Sequence, residues 1–131
     1  MTELEKARNR FKEDIFATEV TGIVIDEVGC GSAVCSLCIT PRHRNAAGTV
    51  MGGVTYTLAD FTFAVAANHA GPLTVTADAH MRYFSPPKGE KLTARSRLIK
   101  NGKRTCFYDI DVEDELGTRV ACLSVTGVRV I

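Results

Sequence analysis

The sequence lacks a surplus of charge of either sign. Its 131 residues include 16 Lys and Arg against 15 Asp and Glu, which gives a formal net charge of +1. Proteins that bind nucleic acids or membrane surfaces by general electrostatic attraction carry a basic surplus. We therefore expect neither nucleic acid nor a membrane as a partner, although a local basic patch could still meet a phosphorylated ligand.

Long hydrophobic runs are also absent. The longest apolar stretch, 54–67, is interrupted by three threonines and by Asp60, and it is too short to span a bilayer. The first 16 residues are charged throughout and contain no apolar signal-peptide segment. Five cysteines without such a signal favour a reducing compartment, so we expect a cytoplasmic protein with free thiols.

A metal site is not expected, although the cysteine spacing suggests one. The candidate ligands follow the pattern C-x4-C-x2-C-x4-H and are Cys30, Cys35, Cys38 and His43. Two of them, Cys35 and Cys38, fall in a predicted strand, where an odd separation sends side chains to opposite faces. A structural zinc site needs turns that bring its ligands together. We expect neither a metal nor any other cofactor.

The sequence does contain 45% hydrophobic residues, enough to form a core in one domain of this length. We treat 1–131 as a single domain, with a helix and a lead-in over 1–17. The spacing of apolar residues predicts the helix over 2–13. β-branched residues predict a strand that begins near Thr18 and a second strand over 33–39.

One long helix is predicted over 53–68, and its apolar residues lie on nearly every face. A helix of this kind is a buried helix. Four long strands are predicted after it, with an Asn-Gly turn between the second and the third, and they cover 73–84, 91–100, 104–113 and 119–130.

This order of elements predicts an α+β fold in which a long curved antiparallel sheet wraps around one central buried helix. A sheet covers only one face of such a helix. We therefore expect a second copy of the chain to bury the remainder, in a homodimer or a larger oligomer.

Asp60 is the only charged residue of the predicted buried helix. Burying an unpaired carboxylate is costly, so two interpretations stay open. In the first, a cation or other donors pair with the carboxylate and its role is structural. In the second, Asp60 faces a cleft and acts as a base, with its pKa raised by desolvation.

Two glycines, Gly52 and Gly53, stand at the start of the same helix. The first amides of a helix are unpaired donors that carry a partial positive charge, which suits an oxyanion or a polarised carbonyl group. Asn45 adds a side-chain amide donor nearby in the sequence. Tight packing of the helix against the sheet would also explain the glycines, so this alternative stays open.

The complete segment from Asn45 to Asp60 reads N-x-x-G-x-x-M-G-G-x-x-x-x-L-A-D. It resembles the active-site segment of the hotdog-fold acyl-CoA thioesterases, the PaaI-like group. The segment 75–86, which ends in an aromatic-x-Pro turn, is similar to the strand that follows in that family. The resemblance covers about 18–131. It implies the hotdog fold and hydrolysis of an acyl-CoA thioester to the free acid and the coenzyme A thiol.

The resemblance also implies four catalytic residues. Asp60 activates or orients water, or attacks the thioester itself, and the amide of Gly52 polarises the thioester carbonyl. Asn45 supports that carbonyl site, and the hydroxyl of Thr76 holds the water. In such enzymes the glycines and the asparagine come from one chain of a dimer and the acid comes from the other.

Further residues are candidates for binding the substrate, and they are Met51, Gly53, Phe61, Arg82, Tyr83 and Lys88. The aromatic side chains among them could line an aryl or a medium-chain acyl pocket. Coenzyme A carries phosphates, which require cations at the mouth of the cleft. Arg82 and Lys88 flank one turn and could serve, and so could the basic group 100–104 at the Asn-Gly turn.

Met51 departs from the family pattern, which has His at this position. Methionine has no N–H donor. The acid and the backbone donor do not depend on that histidine, so we expect an active hydrolase, as a homodimer or a homotetramer built from two dimers. The alternative is a non-catalytic acyl-CoA-binding module on the same fold. A hydratase or dehydratase is a third interpretation, which the missing histidine disfavours.

Overall fold

The computed structural model describes residues 1–130. It contains two α-helices, α1 (Glu3–Phe11) and α2 (Gly52–Asn68), and the six strands β1 (Val24–Gly29), β2 (Ser32–Cys38), β3 (Thr74–Tyr83), β4 (Lys91–Asn101), β5 (Thr105–Asp114) and β6 (Arg119–Arg129). The order of elements matches the predicted order, and the bounds of α2 and of the last four strands lie within one residue of the predicted ones.

All six strands form one antiparallel sheet in the order β1-β2-β4-β5-β6-β3. The sheet curves around α2, as the sequence predicts, and β3 forms one of its two edges. Side chains on the concave face are mostly apolar and buried, and on β5 the buried Cys106, Tyr108, Ile110 and Val112 alternate with residues that are more exposed. The ring of Phe63 on α2 meets that of Tyr108 edge to face, with 5.6 Å between centroids.

Helix α1 packs mainly on β1, and its C-terminal end reaches α2. The Thr2 side chain caps the first turn by accepting from the Glu5 amide at 3.1 Å. At the other end, the Phe11 ring packs edge to face on Phe61, with centroids 5.8 Å apart. Residues 12–20 then run past α2 with most of their side chains exposed, and Ala17 is the one that is buried.

The expected strand near Thr18 is wrong. Phe16–Val20 forms a helical turn instead, and β1 starts only at Val24. The Thr18 hydroxyl donates to the Asp14 carbonyl at 3.0 Å, and Gly22 ends the turn at a φ of +83°. Burial of Ala17 fixes the turn against the core, and this packing outweighs the strand preference of the β-branched residues.

The cysteines of the rejected zinc pattern differ in their exposure to solvent. Cys35 is buried and Cys38 is exposed, as expected for opposite faces of β2. Burial raises the pKa of the Cys35 thiol to about 12.

Within 1–130, no helix combines the length and the apolar character needed to cross a membrane.

A buried carboxylate fixes the loop between β3 and β4. Asp114 Oδ2 accepts from the amides of Lys88 and Gly89 at 2.8 and 2.9 Å, and Oδ1 accepts from those of Leu116 and Thr118 at 3.0 and 2.8 Å. Burial alone would raise the pKa of this carboxyl, but the amide donors outweigh it and hold the pKa well below its ordinary value. Asp114 therefore ties two loops together.

Asp114→Ala should lower the free energy of unfolding at pH 7 by about 3 kcal/mol, because four amides lose their acceptor. The folded-state pKa is depressed, so this stabilisation is present above about pH 4 and is lost as the pH falls further. Urea denaturation at several pH values measures both effects, with Asp26→Ala as the control. A difference between wild type and Asp114→Ala that stays constant down to pH 3 would contradict this account.

Candidate active site

Asn45 organises the loop that leads into α2. Its Oδ1 accepts from the Ala47 amide at 3.0 Å and from the Thr49 amide and hydroxyl at 3.1 and 3.2 Å. Gly48 completes the turn with a φ of +83°, a conformation that favours glycine. Within 1–130 all side-chain hydrogen bonds of Asn45 involve Oδ1, so its exposed Nδ2 amide is free to donate.

His43 anchors this loop to the start of the domain, a role that the sequence analysis did not find. The side chain is only 4% exposed. Its Nδ1 accepts from the Thr40 amide at 3.0 Å, and its Nε2 donates to the Thr21 carbonyl at 2.8 Å. The His43 carbonyl in turn accepts from the Met51 amide at 2.9 Å. One imidazole thus fixes the entry to α2.

The N-terminus of α2 is open to solvent. Met51 is its N-cap residue, makes no side-chain capping bond and is 57% exposed. Gly52 and Gly53 are also exposed, and the first amides of a helix have no acceptor within it. These amides can therefore polarise a carbonyl oxygen placed at the helix end.

The two glycines differ in their surroundings. The Tyr83 hydroxyl donates to the Gly52 carbonyl at 2.8 Å, and a Cβ on Gly52 would lie 3.3 Å from that hydroxyl oxygen. A Cβ on Gly53 would meet nothing within 4 Å. Packing against the sheet thus accounts for Gly52 alone, whereas open access to the backbone accounts for both glycines.

Asp60 lines a cavity of about 330 Å³ between α2 and the N-terminal segment. It shares this cavity with Ile15, Phe16, Thr57 and Phe61, among others. Burial raises the pKa of its carboxyl. In the part of the chain that the structure describes, the carboxylate has neither an ion pair nor a hydrogen bond. The structural interpretation, which needs such a partner, does not describe Asp60 within a single copy of the chain.

The other predicted catalytic groups are not gathered at Asp60. Asp60 comes eight positions after Gly52 in α2, which places the two about 12 Å apart along the helix axis. Thr76 lies exposed on the edge strand β3, next to a bulge in its pairing with β6. Asn45 lies in the loop before α2. No hydrogen bond within 1–130 joins any two of these four residues.

The predicted substrate-binding residues fall into two places. Tyr83 lines a second cavity, of about 270 Å³, together with Gly52. Arg82 is exposed beside it on β3, and Lys88 is exposed on the following loop. Phe61 is a core residue that reaches the Asp60 cavity. The contribution of 14–17 to that cavity is not predicted by the sequence, whose apolar spacing indicates a helix only over 2–13.

Residues 47–121, which include all of α2, match the family model of the thioesterase superfamily. The chain belongs to the thioesterase superfamily. Membership establishes the predicted class of enzyme, a thioester hydrolase. The matched segment begins in the Asn45 loop and contains both the glycine start of α2 and Asp60.

Several relatives in the thioesterase superfamily resemble this chain over most of its length. It is 30% identical over 115 residues to acyl-coenzyme A thioesterase 13 of Homo sapiens, covering 86% of this chain and 78% of that one. It is 30% identical over 118 residues to acyl-coenzyme A thioesterase PaaI of Escherichia coli, covering 89% and 84%. The structure of the E. coli PaaI protein from the phenylacetic acid degradation operon has a TM-score of 0.89 at 26% identity, over 99% of this chain and 97% of that one. These similarities confirm the PaaI-like family and the hotdog fold.

The unpaired state of Asp60 predicts a gain in stability on its removal. Asp60→Asn should raise Tm at pH 7 by roughly 2 °C, because it removes a carboxylate that burial disfavours and breaks no hydrogen bond. The folded-state pKa is raised, so the cost of the carboxylate is greatest at high pH and disappears as the pH falls to about 4. Thermal unfolding of wild type and Asp60→Asn at pH 7 and pH 4 measures this cost as a difference in Tm, with Asp26→Asn as the control. A lower Tm at pH 7 would show that the carboxylate is structural.

Proposed function

We propose that this chain hydrolyses acyl-coenzyme A thioesters to the free acid and coenzyme A. The observation that carries the proposal is the unpaired carboxylate of Asp60 in a cavity whose wall is mainly apolar, with Asp14 and Thr57 as its other polar residues. Two relatives at 30% identity are named acyl-coenzyme A thioesterases, which supports this substrate class. The family alone indicates thioester hydrolysis, and the coenzyme A ester is the finer proposal.

The N-terminus of α2 binds the thioester carbonyl in this mechanism. The Gly52 amide donates to the carbonyl oxygen, where negative charge develops when a nucleophile adds. The helix dipole acts in the same direction. Asn45 Nδ2, which the loop leaves free, is the second donor, and the open backbone at Gly53 admits the substrate.

Asp60 supplies the base. It accepts a proton from water as the water oxygen attacks the carbonyl carbon, and the C–S bond then breaks to release the coenzyme A thiolate, which takes up a proton. A raised pKa makes the carboxylate a stronger base than an exposed one. Direct attack by the carboxylate on the carbonyl carbon is the other route open to Asp60, and Thr76 positions the water in either route.

Such a site needs two copies of the chain. Gly52 and Asp60 of one α2 stand about 12 Å apart along the helix axis, too far to act on one carbonyl group. Strand β3 is a sheet edge of ten residues, and most of them are exposed. An unpaired edge of this length is a template for pairing with another strand. We infer that two β3 strands pair in a homodimer, which brings Gly52 of one copy to Asp60 of the other.

The wider expectations belong to the same proposal. They are a single domain over 1–131, a homotetramer built from two dimers, and a cytoplasmic location. The binding-module alternative rests on Met51, whose side chain cannot supply the hydrogen bond of the usual histidine. A module that only binds its ligand would gain nothing from an unpaired carboxylate beside that ligand, so we favour the enzyme.

Asp60→Asn should reduce kcat/KM at least about a hundredfold, because it removes the base while keeping the size of the side chain. Thiol release from butanoyl-, octanoyl- and phenylacetyl-coenzyme A measures the activity and identifies the preferred acyl group. Asp26→Asn, which removes a carboxylate from β1, serves as the control.

The pH profile provides an independent readout. The base must be deprotonated, so wild-type kcat/KM should rise with pH, with its midpoint above the ordinary Asp pKa of about 4. Asp60→Asn should lose this limb of the profile. Turnover by Asp60→Asn equal to that of wild type would exclude the proposed mechanism.

A further inference from the structure

Two arginines flank one aromatic ring at the end of β3. Arg82 Cζ lies 5.4 Å from the centroid of the Phe84 ring, and Arg119 Cζ lies 5.0 Å from it. Both arginines are exposed, and both distances are within the range of a cation–π interaction. The ring thus holds two positive charges close together.

Neither guanidinium has an acidic partner within 1–130, and this distinguishes the two from Arg95 and Arg97 on the same sheet. Arg97 pairs with Asp109 and Asp111, with N–O distances of 3.3 and 3.1 Å. Arg95 lies 4.0 Å from carboxylate oxygens of two glutamates. Two adjacent cations without a counter-charge repel each other, and an anion placed between them would relieve the repulsion.

Phe84 also joins this pair of arginines to the N-terminus of α2. Its amide donates to the Val120 carbonyl at 2.8 Å, which holds it beside Arg119 at the start of β6. Its ring lines the cavity of about 270 Å³ that contains Gly52 and Tyr83. The rest of that cavity is largely apolar, with Pro86 and Pro87 in its wall. The cavity therefore extends from the proposed carbonyl site to Phe84, and the two arginines lie against the ring of Phe84 beside the cavity without lining it.

We propose that Arg82 and Arg119 bind a phosphate group of the coenzyme A part of the substrate, with the pantetheine arm lying in the Phe84 cavity. The planar guanidinium group matches a phosphate with two parallel hydrogen bonds, and stacking on a ring holds it in position. The identity of the ligand rests on the proposed function. The two arginines can bind the phosphate whether or not the thioester is hydrolysed, so this site can be tested by binding alone.

The other candidate for binding the phosphates, the basic group 100–104 at the Asn-Gly turn, lies at the opposite end of α2. Asn101 lines a cavity with His69, which follows the last residue of α2. The 17 residues of α2 extend about 25 Å, so this turn is a full helix length from Gly52 of the same chain. Lys88 is nearer, but only Arg82 and Arg119 share the ring that lines the cavity.

Calorimetric titration with coenzyme A and with pantetheine, which lacks the phosphates, tests the site without hydrolysis. Arg82→Ala and Arg119→Ala should each raise the Kd of coenzyme A about tenfold and leave that of pantetheine unchanged. The ratio of the affinity for coenzyme A to the affinity for pantetheine then falls about tenfold. Arg95→Ala, which removes an arginine with acidic partners from the same sheet, is the matched control and should change the ratio less than about twofold.

The same comparison in turnover uses two esters of the preferred acyl group, one of coenzyme A and one of N-acetylcysteamine. The ratio of their kcat/KM values should fall about tenfold in each arginine variant, mainly through KM for the coenzyme A ester. An affinity ratio that either substitution leaves unchanged would overturn the proposal. If wild type hydrolyses neither ester but binds coenzyme A in an arginine-dependent manner, the proposed function fails and the phosphate site stands.

Discussion

An unpaired carboxylate on a helix that is otherwise apolar is the constraint on which the site depends. The neighbours of Asp60 in the chain, Ala59 and Phe61, belong to the core, and burial raises the pKa of its carboxyl without any partner within 1–130 to compensate. A folded chain can retain such a group only if the surrounding packing provides enough stability. Here the packing of α2 on the sheet provides most of it, with Phe11 of α1 against Phe61. One face of α2 stays half-buried in a single copy, and it carries Tyr56, Thr57, Asp60 and Ala64.

The direction of α2 sets the remaining geometry. Its N-terminus carries the open glycine amides and lies under Tyr83, whereas Asp60 comes two turns later beside the N-terminal segment. A single copy thus presents an electrophilic end and a basic group that cannot meet on one substrate. The exposed edge of β3 offers a way to join two copies, and Thr76 lies on that edge. The proposed dimer follows from the length of the helix and from the free edge together.

The sequence was most informative where its pattern is long and regular. Helix α2 and the last four strands were predicted nearly to the residue, since alternation over ten positions and an apolar segment of helical length leave few alternatives. Asp60 could be identified because it interrupts that apolar segment. The predicted strand at Thr18 failed because a bond to Asp14 and the burial of Ala17 decide the local structure there.

Residues whose partners are distant in the chain could not be found in this way. His43 donates to a carbonyl 22 positions earlier, and Asp114 accepts from amides 25 and 26 positions earlier. Both bonds use backbone groups, which every residue carries, so no pattern of side chains indicates them. The pairing of Arg82 with Arg119 has the same origin, since only the register of β3 with β6 brings them together around Phe84.

The shared site is the central claim, and the most direct test mixes two variants, each of which lacks a group from one half of the site. Asn45→Asp keeps the acceptor that forms the loop but removes the Nδ2 donor, and Asp60→Asn removes the base. Refolding the two variants together should restore about a quarter of wild-type activity, because about half of the dimers are hybrids and each hybrid has one intact site. If the mixture is no more active than the separate variants, although exchange of subunits is verified, each site belongs to a single chain and the account is wrong.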